Sequence, residues 1–553
     1  MIPKLDELPT LVLSLIFDDI YLSSPKTLRS LSLVNKACYH AAVPFLYRNL
    51  ALQISSRQKL REDSAELEEN PFRKKFLIHA RCLKVWGRMP LLAEEEDTAG
   101  SPSSDREELA AEPAHSEEYD AEFGGVFTVD LPDGSAEEVS EAWNPLALVI
   151  QKCKHITDLI WVCRNQLPPC LLQTIDQYHP SCRLDMRSFR LRSLGDSVTD
   201  PHELDLIRSP RLHSISVKTV GVDSNGNVDY NRSAIFQVVA LAPNLRHLNI
   251  VRPRSGASPQ LLRARNRPRV PWKGFVPPLK VSNKGALTSL TYFGNRGMKL
   301  DDIREWPKYT DLSKIRYLML GDVSDPLVFG YMTQNVRFAS LETLDMGLKP
   351  TTNNRDLLVS ELESLMEHLE PLKEVRLAGY LTASVLDRIL QRHGPTLRRL
   401  ALHPYKHVYG PQPSLSTIRS EEVRKIESHC PLLEHLRISI PYPGVLAPDE
   451  CDLSDVCPNL HRLRELALDV DNGRSDLPLD EAARKIWDLI DKEKGGCRLS
   501  CLHIVDLNTT TILARRDIEG SDEVELDSID GDRGTNQRIT ERFHGLPTAR
   551  FRF

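Results

Sequence analysis

One short spacing of apolar positions recurs along most of the chain: apolar, two others, apolar, one other, apolar. The series runs Ile156/Leu159/Trp161, Met186/Phe189/Leu191, Leu212/Ile215/Val217, Leu245/Leu248/Ile250, Leu287/Leu290/Tyr292 and Ile315/Leu318/Leu320. It continues as Leu341/Leu344/Met346, Leu372/Val375/Leu377, Leu397/Leu400/Leu402, Leu433/Leu436/Ile438, Leu463/Leu466/Leu468 and Leu499/Leu502/Ile504, with a weaker first copy at Ala80/Leu83/Val85. After a first gap of 76 residues, the middle positions follow one another at 25 to 42. The last three positions of each copy alternate at the period of a strand. Between copies the spacing turns helical, at Ser233–Leu241, Leu357–Leu369, Ala383–Arg392, Glu421–His429 and Glu481–Ile490. Several helices stop before a proline, at Ala242-Pro243, Glu370-Pro371, Cys430-Pro431 and Cys457-Pro458, because proline disfavours a helical residue before it. His393-Gly394-Pro395 adds a glycine, which predicts a helix cap there.

A strand plus a return segment cannot bury its apolar side alone, so the units must stack with their strands parallel. "Cys-Pro-Leu-Leu-Glu-His-Leu-Arg-Ile" and "Cys-Pro-Asn-Leu-His-Arg-Leu-Arg-Glu-Leu-Ala-Leu" resemble the cysteine-containing class of leucine-rich repeats. That resemblance spans about residues 75–508. It implies an irregular α/β solenoid with parallel strands on a concave face and helices on a convex one.

The first fifty residues read as three short helices. Val12, Leu13, Ile16, Phe17 and Ile20 form one stripe after Pro9. Ser24-Pro25 opens a second helix with Leu28, Leu31 and Val34; a third runs from about Lys36, through Cys38 and Ala42, to near Pro44. Their apolar faces are too generous for so small a module, which predicts that some face a partner. Leu8-Pro9, Leu13, Ile16-Phe17, Leu28, Leu31, Leu33-Val34-Asn35-Lys36 and Pro44-Phe45-Leu46-Tyr47-Arg48 resemble an F-box, particularly in its fungal form. Leu11 stands where that family commonly has an acid, and Cys38 where it often has tryptophan. The resemblance implies docking to the Skp-family adaptor of SCF ubiquitin ligases, and through it to cullin and RING subunits. Leu8, Pro9, Leu13, Ile16, Phe17 and Val34 match the family's apolar positions and become the expected adaptor contacts.

Charge divides the chain further. Formal net charge is −6 over 553 residues, but residues 93–142 carry seventeen acids against Arg106 alone, and residues 517–532 carry eight acids and no base. The rest of the chain is therefore strongly basic. Residues 251–284 hold nine bases and no acid. The expected organisation is an F-box at 5–50, a connecting helix and first repeat at 51–92 and an acidic disordered insertion at 93–142. A repeat solenoid follows at 143–508, with a basic Pro-rich insertion at 251–284 read as a solvated loop, and then an acidic disordered tail at 509–553.

Side chains between the apolar positions of each strand should face away from the helices. Arg190, Arg192, Lys218, His247, Arg376, Arg399, His403, His435 and Arg437 are the expected substrate contacts, and such a row favours an acidic or phosphorylated protein segment. No phosphate loop, dinucleotide fingerprint, HExxH or GxSxG stands in a supporting context. Cys153, Cys163, Cys170 and Cys182, near His155 and His179, lack paired CxxC spacing and read as small buried residues. The expectation is a non-catalytic receptor without metal or cofactor. Eleven cysteines and no long apolar run predict a cytoplasmic or nuclear protein without a membrane segment. The alternatives are a repeat scaffold outside ubiquitination, with adaptor but no cullin, and last a nucleic-acid-associated factor using residues 251–284.

Overall fold

The computed structural model describes residues 8–23, 25–90, 136–219, 229–252, 271–279, 283–294, 297–403, 418–440, 460–470, 487, 499–506, 510–516 and 524–530. The chain is α/β and divides into two units, Met1–Ala286 and Leu287–Phe553.

The first unit opens with three helices, α1 (Thr10–Ser23), α2 (Pro25–Leu31) and α3 (Lys36–Leu46). Leu13, Phe17, Leu28, Cys38, Ala41 and Ala42 form their buried cluster. Asn35 caps α3, its side chain accepting from the Cys38 N–H at 2.8 Å. That helix runs through Pro44 to Leu46 and does not stop at the proline.

Six parallel strands follow among the described residues, each paired to the next in chain order. They are β1 (Asn49–Ile54), β2 (Cys82–Gly87), β3 (Asp158–Cys163), β4 (Arg183–Phe189), β5 (Leu212–Lys218) and β6 (His247–Arg252). The return helices are α4 (Arg57–Glu69), α5 (Lys74–His79), α6 (Ala136–Lys152), α7 (Pro169–Tyr178), α8 (Pro201–Arg208) and α9 (Asn231–Leu241). Leu50, Leu83, Leu159 and Leu184 stand in register and are all buried, each worth about 1.5–3 kcal/mol relative to exposure.

Several expectations are corrected in this unit. Strand β1 lies where the sequence suggested the end of one module and a connecting helix. Its alternating exposed and buried residues show the reason: Leu50, Leu52 and Ile54 point inward. In β4 the pair matching Leu159 and Trp161 is Leu184 and Met186, so the copy centred on Phe189 was misplaced. Phe189 still faces Val217, beyond two register shifts that restore the pairing. The acidic insertion expected at 93–142 overlaps a helix. Residues 136–142 belong to α6, where Ala142, Trp143, Leu146, Val149 and Ile150 make a buried stripe and Glu137 and Glu138 suit the helix start. Part of the basic insertion also packs: Phe275 is 2% exposed, and the Thr199 N–H donates to the Val276 carbonyl at 2.9 Å.

In the second unit eight parallel strands again pair in chain order among the described residues. They are β7 (Ser289–Gly294), β8 (Tyr317–Val323), β9 (Thr343–Leu348), β10 (Glu374–Gly379), β11 (Arg399–His403), β12 (His435–Ile440), β13 (Glu465–Val470) and β14 (Cys501–Asp506). Leu290, Leu318, Leu344, Val375, Leu400, Leu436, Leu466 and Leu502 stand in one register line, each at most 1% exposed. Helices α10 (Leu300–Tyr309), α11 (Leu327–Asn335), α12 (Arg355–His368), α13 (Ala383–His393) and α14 (Ser420–His429) lie between strands. The helix expected at Glu481–Ile490 lies outside the described residues, apart from the buried Trp487, as does Cys457-Pro458.

Two details differ from expectation. Gly394 has φ −43° and opens a short 3-10 turn, so it is not a left-handed cap. It is glycine because a Cβ there would meet the His429 carbonyl oxygen at 2.7 Å. The tail expected to be disordered contains two strands, β15 (Thr510–Arg516) and β16 (Val524–Asp530), which add antiparallel to β14. The open edge of β14 offers unpaired backbone groups, and Val-Glu-Leu-Asp in β16 alternates at strand period. Among the described residues, no helix is long and apolar enough to cross a membrane.

Candidate functional site

The N-terminal helices separate the expected adaptor contacts into two kinds. Leu13 and Phe17 are 3% and 0% exposed and form the module's own core, with Leu8 and Ile16 packed against it. Pro9 is exposed, and its carbonyl accepts from the N–H groups of Val12 and Leu13 to start α1. Val34 is 64% exposed in the turn after α2. Three neighbours outside the expected contacts are at least as open: Leu11, Leu15 and Leu33, at 75%, 66% and 82%. Leu11 and Leu15 are four apart and share one side of α1. Their signal was present in the sequence as a second apolar stripe, beside the one that closes the core.

This module is tied to the strands that follow. Asn49 donates to the Tyr21 hydroxyl at 2.7 Å, and Arg48 lies 5.4 Å over the Tyr21 ring. The Lys75 ammonium donates to the Tyr39 hydroxyl and sits 5.1–5.4 Å from the Tyr39, Tyr47 and Phe72 rings. Cation–π contacts of this kind contribute about 0.5–1 kcal/mol each at exposed sites.

In the first unit, Arg190 and Arg192 fall just beyond β4, and the Arg192 N–H donates to Glu203 at 2.6 Å. Lys218 ends β5, where burial lowers its ammonium pKa. His247 is 9% exposed and meets the His213 ring edge-on at 5.2 Å. Burial pushes its imidazole down to about 4, so it is neutral at physiological pH.

The second unit departs further from a row of free bases. Arg376 is 8% exposed, bonded to Glu374, with Asp345 at 3.8 Å. Arg437 is 2% exposed and grips Asp469, which also accepts from His403 Nδ1 at 2.6 Å. His435 Nδ1 is 2.7 Å from Glu465. Arg399 remains exposed. The arginines with most favourable spacing for an external anion thus have their charge met within the sheet. Strand pairing is the cause, since it sets Asp345 beside Arg376 and brings β13 carboxylates against β12 bases. Sequence separation of about thirty residues hid Asp345, Asp469 and Glu465, whereas Glu374 lies two residues before Arg376 on the same strand.

The outer bases lie one residue before the strands. There the residue before each strand donates its N–H to the carbonyl of its counterpart on the strand before, and the next residue donates to the same carbonyl at 3.0–3.2 Å. The first bonds of each pair are Arg316 to Thr288, Glu342 to Arg316, Lys373 to Glu342, Arg398 to Lys373, Glu434 to Arg398, Arg464 to Glu434 and Ser500 to Arg464, all 2.8–2.9 Å. Arg316, Lys373, Arg398 and Arg464 are exposed along this edge. Their sequence signal was the residue just after the first apolar position of each copy.

Burial pushes Cys153 and Cys182 up to about 12 and Cys82 up to about 11, leaving all three protonated. His179 Nε2 is bonded to the Ile150 carbonyl at 2.7 Å. Among the described residues, no group of three or more His, Cys, Asp and Glu side chains is placed to hold a metal ion. No family model matches the chain, and no curated protein matches it.

Proposed function

We propose that the chain is a substrate receptor of an SCF-type cullin ubiquitin ligase. Its N-terminal helices act as an F-box that docks a Skp-family adaptor, and its strand-and-return units act as an irregular leucine-rich-repeat solenoid that holds the substrate protein. The observation that carries this reading is the exposure of Leu11, Leu15, Leu33 and Val34 around a core already closed by Leu13, Phe17, Leu28 and Cys38. Apolar side chains that their own module does not need are what an adaptor would cover. The tie from Lys75 and Asn49 to this module supports a docking element joined firmly to the first repeats.

The receptor does no bond chemistry itself. It raises the effective concentration of a substrate lysine near a thioester that the complex supplies.

The test is affinity purification of the whole chain beside a Leu15→Asp/Val34→Asp variant, scored for adaptor and cullin. Capture of both by the parent, and loss of both by the variant, is the expected result. Capture of adaptor without cullin would point to a scaffold outside ubiquitination. Capture of neither by the parent overturns the reading.

A further inference from the structure

Two of the parallel strands start on a cysteine followed two residues later by a nitrogen base: Cys82 and Lys84 in β2, Cys501 and His503 in β14. Residues two apart on a strand share one face. Leu83 and Val85, like Leu502 and Ile504, are buried, so both cysteines turn away from the core. Both are thiols, and both are half-buried. Their surroundings differ. Cys82 stands in register with Asp158 on β3, and burial, followed by that carboxylate, pushes its thiol up to about 11.

Cys501 instead has a base within reach, its Sγ 3.1 Å from His503 Nε2. A thiol and an imidazole at that distance share one proton, and passing it to nitrogen leaves a thiolate beside an imidazolium. The neighbouring strands bring further charges. Glu465 is in register with Cys501 on β13, and Arg515 is its counterpart on β15. The hydrogen bond with His435, at 2.7 Å, holds the Glu465 carboxyl below the usual range against the effect of burial, and the charges of His435, His503 and Arg399 add to it. That carboxylate favours the imidazolium form of His503. It opposes the thiolate, but its oxygens are engaged by His435, whereas the His503 nitrogen is in direct contact with the sulfur.

We propose that Cys501 is an oxidation site, where the thiolate attacks a small uncharged hydroperoxide and His503 supplies the proton that the leaving oxygen needs. An S–O bond forms as the O–O bond breaks. Sulfur gives up two electrons and becomes a sulfenic acid. The departing hydroxide takes the imidazolium proton and leaves as water, so the peroxide is the only oxidant consumed. Glu465 selects against the other common thiol oxidant, because glutathione disulfide carries net negative charge and would have to approach a carboxylate. This inference goes beyond the receptor reading and does not depend on the adaptor.

The experiment is a pulse of hydrogen peroxide on the reduced full chain, with dimedone present to trap sulfenic acid and site-resolved mass spectrometry to follow each cysteine. Cys501 should be trapped at least tenfold faster than Cys82, and the two rates should come within twofold of each other in urea. His503→Gln should slow Cys501 at least tenfold and move the pH profile of its alkylation by iodoacetamide to higher pH, with Glu465, His435 and Arg399 unchanged. Lys84→Gln should leave Cys82 within twofold. Equal trapping of Cys501 and Cys82 in the folded parent overturns the proposal, and this comparison stands even where His503→Gln does not fold. An unmoved pH profile in a folded His503→Gln overturns it too. Faster reaction of Cys501 with glutathione disulfide than with hydrogen peroxide overturns the class of oxidant.

Discussion

Arg437 holds Asp469 in a two-pronged ion pair, Nη2 to Oδ1 at 2.8 Å and Nε to Oδ2 at 3.0 Å, with both side chains almost wholly out of water. Burial alone would raise the Asp469 carboxyl, but Arg437 and then His403 outweigh it and hold the group well below the usual carboxylate range. Removing one partner leaves a buried charge unmet. Arg437→Met should destabilise the chain by about 3–5 kcal/mol in urea titrations at pH 7, and Arg437→Met/Asp469→Leu should recover much of that loss. Because the folded carboxyl is depressed, the pair's contribution is complete above pH 4 and is lost as pH falls further.

His393 titrates in a different window. It is 0% exposed, accepts from the Leu372 N–H at 3.2 Å, and is pushed down to about 4 by burial. An unfolded histidine protonates near pH 6.5, so the unfolded chain binds the extra proton between about pH 6.5 and 4. Stability should therefore fall as pH drops through that range, by about 3 kcal/mol from this group. His393→Asn, which keeps an acceptor for Leu372, should flatten the slope of unfolding free energy against pH.

Core and exposed apolar positions separate in the N-terminal helices. Leu13→Ala and Phe17→Ala should each cost about 2–5 kcal/mol of stability, because both side chains are buried. Leu15→Ser and Val34→Ser, at exposed positions, should stay within about 0.5 kcal/mol of the parent. Thermal melts of the four variants check this, and only the second pair is then informative about adaptor capture.

Two glycines differ in why they resist change. Gly379 has φ +91°, and a Cβ there would lie 2.2 Å from the Leu348 carbonyl oxygen. Gly394 is in ordinary helical conformation and suffers only from the close His429 carbonyl. Gly394→Ala should cost about 1–3 kcal/mol through crowding, and Gly379→Ala more, since backbone strain adds to the clash. Urea midpoints of the two variants give the order.

Much of the parallel-strand layout was legible in the spacing of leucines, because a buried strand position tolerates few residue types. Leu436, Leu466 and Leu502 fall in register as that spacing predicts. Strand β4 escaped because Met186, Phe189 and Leu191 are all buried while only part of that run pairs evenly. Strand β16 escaped because acids dominate residues 517–532, and β15 because composition does not reveal a neighbour's open edge. The site was least legible where it depends on pairing. Arg437 looks like a free base until β13 supplies Asp469, and Arg376 until Glu374 on its own strand and Asp345 on β9 close around it, whereas Arg398 and Lys373 stay outward because they precede the strands.

The backbone ladder before the strands also governs where foreign sequence can enter. Leu83 pairs directly with Leu159 although 76 residues separate them, while Val375 pairs with Leu400 after only 25. Strands β2 and β10 are each pinned at the start by two N–H groups on one carbonyl of the strand before, and are closed at their ends by Gly87 and Gly379. Lengthening a return threefold adds about 1 kcal/mol of closure entropy and leaves the neighbouring register untouched. The chain is thus built as a host for splicing: new segments can be accepted and lost between strands, one return at a time, while the framework that receives them stays the same.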